Sequence, residues 1–136
     1  MPRQTLVAFL IAACVCCGEA DLRDIKHERT RDADGIVQLY RNERQGDWTL
    51  KGKVILVTGA QVAAVRTSGG RVVVEMTGFD TLLPTDLRCT FHKSQTRRLR
   101  TLLPGDVIAF KAICDGLEKA VVFRDGVLIG VERPLE

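Results

Sequence analysis

Lys53-Val54-Ile55-Leu56-Val57-Thr58-Gly59-Ala60, continued by Gln61-Val62-Ala63-Ala64-Val65-Arg66, is a long strand-forming run with one glycine near its middle. Its branched aliphatic residues favour the extended backbone, and the run is too long for an ordinary straight strand. Gly59 in its middle predicts a bulge or tight bend, as where a strand turns a barrel corner. The same residues imitate the opening strand of a short-chain dehydrogenase. That chemistry needs further glycines after the strand, so that backbone can approach a cofactor pyrophosphate at a helix N-terminus. Ala63 and Val65 stand there instead, and Tyr40 has no Lys four residues on. A dehydrogenase is excluded.

After this run, Ser68-Gly69-Gly70 is a turn signal and Arg71 to Met76 a second strand. Asp86 to His92 alternates Leu87, Cys89 and Phe91 with Arg88, Thr90 and His92, the pattern of a half-buried strand. Ser94 to Leu103 predicts a short helix with Leu99, Leu102 and Leu103 inward and Arg97, Arg98 and Arg100 outward, stopped by Pro104-Gly105-Asp106. Strands are expected at Val107–Cys114 and Lys119–Phe123, with Asp115-Gly116 as the turn between them. Asp125-Gly126 is a favoured hairpin dipeptide, which would return Val127–Val131 as a short extra strand. Upstream, Ile36, Val37, Leu39 and Tyr40 form a helical stripe starting near Asp32, with Asp32 or Asp34 as cap and Gly46 as its end. The fold class is therefore mainly β: a five-stranded OB-type barrel with an N-terminal helix and a short helix between strands three and four. An SH3-like barrel lacks that helix.

The first residues are of another kind. One Arg, the uncharged run Thr5 to Ala13 and Ile11-Ala12-Ala13-Cys14 describe a secretory leader over 1–13, with cleavage before Cys14. The tetrapeptide resembles a bacterial lipobox, in which the Cys thiol carries the lipid. Residues 14–31 are dense in alternating charge and read as a tether, leaving 32–136 for the barrel and its helix. Localisation is expected at the periplasmic face of a bacterial membrane, attached through lipid on Cys14.

Asn42-Glu43, Asp47, Lys51-Gly52-Lys53-Val54 and Val57-Thr58-Gly59 together resemble the OB-fold lipoproteins, the tRNA-anticodon-binding-like family. The later set Val73 to Glu75, Cys89-Thr90-Phe91, Leu103 with Gly105-Asp106, and Cys114-Asp115-Gly116 is similar too, so that the likeness runs from about Gly35 to Leu128. Leu50 stands where that family commonly has an aromatic. The resemblance implies an exported barrel with no established biochemical activity.

Chemistry is sparse. His27 and His92 are the only histidines, and neither sits in a nucleophile–base pattern, so no enzyme, cofactor or metal is expected. Asp106, Asp115 and Asp125 each adjoin a Gly, where a short acceptor suits a turn. Cys89 and Cys114 both point inward by alternation; in an oxidising compartment they can pair, or they remain two separate buried thiols. Arg66, Arg71, Arg88, His92, Arg97, Arg98 and Arg100, with Lys93 among them, supply the basic half of an oligonucleotide surface. The stacking half is missing: aromatics are 5% of the chain, and Phe91 and Phe110 belong to the core. The expected function is an envelope binding or accessory module with a protein, glycan or small-molecule partner. Single-stranded nucleic acid is the alternative, disfavoured by the absent rings.

Overall fold

The computed structural model describes residues 25–80 and 86–134; the leader, Cys14 and most of the tether lie outside them. Strand β1 (Arg29–Asp32) leads directly into helix α1 (Ala33–Leu39), whose first turn is capped by the Asp32 side chain accepting from Gly35 N–H. Helix α2 (Glu43–Leu50) follows, capped in the same way by Asn42. The single helix expected to stop at Gly46 is thus two. Gly46 lies inside α2 because the Tyr40 ring packs over it, and a Cβ there would come within 2.5 Å of the ring. The end of the charged stretch read as a tether is also ordered. Arg29–Asp32 pairs in parallel with the start of the next strand, and Glu28 N–H donates to the Val54 carbonyl.

Strand β2 (Val54–Ser68) carries the barrel. Gly59 has φ +62°, and the pairing register shifts between Val57 and Ala60, so the expected bend is present. From Val54 across the bend to Gln61, β2 pairs with β5 (Val107–Glu118); from Gln61 onward it pairs with β3 (Arg71–Thr77), which follows the Gly69-Gly70 turn. Strand β4 (Leu87–Phe91) lies antiparallel to β3 and parallel to β6 (Ala120–Glu132), which returns to β5. The closed order β2-β3-β4-β6-β5-β2 is that of an OB barrel, with β1 added outside it. Between β4 and β5, a 3-10 turn (Lys93–Gln95) and helix α3 (Thr96–Leu99) occupy the place expected for one short helix.

Two Asp-Gly pairs behave differently from expectation. Asp115-Gly116 lies within β5 and Asp125-Gly126 within β6, each at a shift in register. The hairpin turns instead at Lys119, with φ +64°. Gly126 is small because a Cβ there would meet Cys89 Sγ at 2.5 Å and the Phe91 ring at 2.9 Å. Strand alternation then fills the barrel with Ile55, Val57, Val74, Met76, Leu87, Ile108 and three fully buried phenylalanines. Phe110 stands between Phe91 and Phe123, at centroid distances of 5.6 and 5.7 Å. Leu99 and Leu102 close one end; Leu103, expected inward, is 53% exposed because the chain has already turned toward β5.

Candidate ligand-binding face

Because alternate residues of β3 and β4 fill the core, Arg71, Val73, Glu75, Arg88 and Thr90 stand on the outer face of the sheet. Register sets Val73 opposite Thr90 and Glu75 opposite Arg88, while Arg66 on β2 lies opposite Val73. Together with Thr67 and Ser68 at the hairpin, Arg66, Val73, Arg88 and Thr90 line a shallow groove. Arg66 and Arg88, with the hydroxyl residues Ser68 and Thr90, stand on that outer face, a donor-rich set suited to oxyanions and sugar hydroxyls, while Thr67, opposite core-facing Val72, borders the groove from the hairpin.

The arginines are not equally available. Arg66 donates to Glu75 at 2.8 Å, and Arg71 faces Asp125 at 3.7 Å. Arg88, partly exposed, meets no carboxylate among the described residues. Two members of the expected basic surface are structural. His92 Nδ1 accepts from Ser94 N–H and opens the 3-10 turn; Arg98 donates to the Leu128 carbonyl at 2.9 Å, fastening α3 to β6. Arg97 and Arg100 are exposed on and just after α3, at the barrel end. The structure therefore gathers Arg66 and Arg88 in one groove with Arg71 at its hairpin corner, and leaves the others elsewhere. Ser68 and Thr90 join this face without having been expected there, although Thr90 alternates with core residues as Arg88 does.

No aromatic ring lines this groove. The exposed aromatics among the described residues are Trp48 on α2, 83% accessible, and Phe79 beyond the far end of β3.

Cys89 and Cys114 are buried free thiols. Both are register partners of Phe123, one across β4–β6 and the other across β6–β5. Their Cα atoms are thus two strand spacings apart, roughly 9–10 Å, beyond the span of a disulfide. No bridge joins them, because β6 intervenes. Burial is the main cause raising both thiol pKa values, which keeps them protonated and unreactive. At Cys114 the Tyr40 hydroxyl lies 3.4 Å from Sγ and also donates to Asp47 at 3.0 Å, which ties α1 and α2 to β5. Burial first, then the contacts with Cys114 and Asp47, push the Tyr40 phenol above its usual range. At another edge, Asp106 accepts from Leu103 N–H at 2.9 Å and from two Arg133 nitrogens at 2.9 and 3.0 Å. The Arg133 bonds, aided by Leu103 N–H and opposed by burial, hold that carboxyl below its usual value. No set of three His, Cys, Asp or Glu side chains among the described residues is placed to hold a metal ion.

Barrel order, helix placement and a donor-rich outer groove define an OB-fold protein of the ligand-binding type. The chain belongs to the tRNA_anti-like family, whose profile matches residues 3–127. Among solved structures, it is similar in fold to a candidate nucleic acid-binding lipoprotein from Klebsiella pneumoniae subsp. pneumoniae MGH 78578. That likeness has a TM-score of 0.59 at 16% identity, covering 83% of this chain and 100% of the other. No curated protein matches the chain. No helix among the described residues is long and apolar enough to cross a membrane.

Proposed function

We propose that this chain is an exported, lipid-anchored OB-fold module of the bacterial envelope that binds a polar partner and catalyses no reaction. The leader and Ile11-Ala12-Ala13-Cys14 support export and lipidation. The lipoprotein name of the Klebsiella neighbour agrees with them. The observation that carries the binding role is the groove of Arg66, Ser68, Arg88 and Thr90 on the outer face. Its chemistry favours a glycan, a small anionic ligand or an acidic segment of an envelope protein, held by hydrogen bonds from hydroxyls and guanidinium.

The nucleic acid-binding name of the same neighbour raises the second reading. Against it stand the missing rings. Each stacked base typically contributes about 1–3 kcal/mol, and phosphate contacts alone weaken steeply with salt. Pairing of Arg66 with Glu75 lowers the free positive charge further. Titrating the full chain with labelled single-stranded oligonucleotides across a salt series tests this. Weak binding at low salt, gone at physiological salt and reduced by Arg88→Ala, is the expected result. Micromolar affinity retained at physiological salt would transfer the chain to the nucleic-acid binders.

A further inference from the structure

The net charge of +3 conceals an uneven distribution. Residues 87–105 hold Arg88, Lys93, Arg97, Arg98 and Arg100 and no Asp or Glu. The rest of the chain carries 15 Lys and Arg against 17 Asp and Glu, a net of −2. The whole positive excess therefore sits on β4, the 3-10 turn and α3. Lys93, Arg97 and Arg100 are exposed, and their side chains meet no carboxylate among the described residues. Exposed Leu103 and Pro104 follow directly on this cationic turn.

Cations followed by an exposed aliphatic side chain match an anionic lipid surface. The charges meet headgroup phosphates and the leucine meets the acyl boundary. A single-stranded nucleic acid would need rings to stack on, and residues 93–104 contain none. Position agrees with charge. Ten residues lie between Cys14 and Ile25, where the described chain begins, and fully extended they reach roughly 35 Å. A domain of this size is roughly 30 Å across, so a barrel anchored at Cys14 is held beside the leaflet. Weak surface forces then decide which side faces it.

We propose that α3, with Lys93, Arg97, Arg100 and Leu103, is a second membrane contact that rests the barrel on a leaflet rich in anionic phospholipid. This rests on the lipid-anchor reading above. The chain has a single tryptophan, exposed Trp48, on α2, a helix that packs on β5. Moving it supplies the test. Full lipidated protein carrying Trp48→Phe with Leu103→Trp, or with Thr101→Trp as a second reporter, is reconstituted into vesicles containing brominated phosphatidylcholine, with or without phosphatidylglycerol. The new tryptophan should be quenched strongly only with phosphatidylglycerol present. Arg97→Glu with Arg100→Glu should weaken that contact roughly fivefold for each positive charge removed. Wild-type Trp48 should stay unquenched. Both reporters remaining bright on protein that sediments with anionic vesicles would overturn the contact and leave the anchor intact. So would quenching of Trp48 instead. Protein that fails to sediment with any vesicle would overturn both. Shielding by a single-stranded oligonucleotide rather than by vesicles, with the same arginine dependence, would assign the patch to nucleic acid and overturn the proposal.

Discussion

Replacing Phe110 by alanine should cost about 3–5 kcal/mol of folding stability, a large share of what a domain this size possesses. The ring is fully buried and touches the barrel from both sides, tilted against Phe91 and edge-on to Phe123. Deletion removes its transfer free energy and two aromatic contacts, each typically about 0.5–1.5 kcal/mol beyond area. It also leaves a cavity that rigid β-pairing on both flanks resists closing, since β5 is bonded to β2 and to β6. Denaturant unfolding should show a lower midpoint with an unchanged slope. Val73→Ala, on the outer face of β3, serves as the comparison and should cost under about 1 kcal/mol. Similar losses for the two variants would mean that the phenylalanine stack is not the centre of the core.

Asp106→Asn should have the second largest effect, and its size should depend on pH. The carboxylate, 2% exposed, holds Leu103 N–H and fastens Arg133 near the chain's end, so it joins the entry of β5 to the segment after β6. Loss of charge-assisted bonds at such a site typically costs about 1.5–3 kcal/mol. The folded pKa is lowered, so the stabilisation is present above the ordinary carboxylate value of 3.8 and is lost as pH falls through the lower folded value. The variant should therefore be less stable than the wild type at neutral pH, and the two should converge in strong acid. Thermal unfolding of both proteins between pH 7 and pH 2 checks this. A gap that is constant with pH would show that the charge of Asp106 plays no part.

Much of this barrel is legible in the sequence because its strands obey simple alternation. Leu87, Cys89 and Phe91 point inward as their spacing requires, and Gly59 marks the corner because only a residue tolerant of positive φ turns there. Turn dipeptides mislead for a physical reason. A hairpin and a bulge both favour Asp-Gly, and only the partner strand's register distinguishes them. Asp125, at φ +55°, lies in a strand that runs on past it, and Gly126 is needed for space rather than for turning. The groove was half visible. Arg66 and Arg88 could be named from composition, but the neutralising Glu75 emerges only when β2, β3 and β4 are placed in register. Cys89 and Cys114 show the same limit. Both point inward, yet inwardness does not reveal that β6 lies between them. The Asp106–Arg133 lock, 27 residues apart in the chain, left no local signal at all.

In the proposed role, groove, patch and tether act together: the OB barrel works at a membrane surface as a binding module held by lipid on Cys14. Intact mass of the protein extracted from membranes of its native host tests it most directly. The expected result is a chain beginning at Cys14 with the added mass of a lipid, and with Cys89 and Cys114 both reduced. A chain that retains Met1, carries no lipid and is recovered from the cytosol would contradict it.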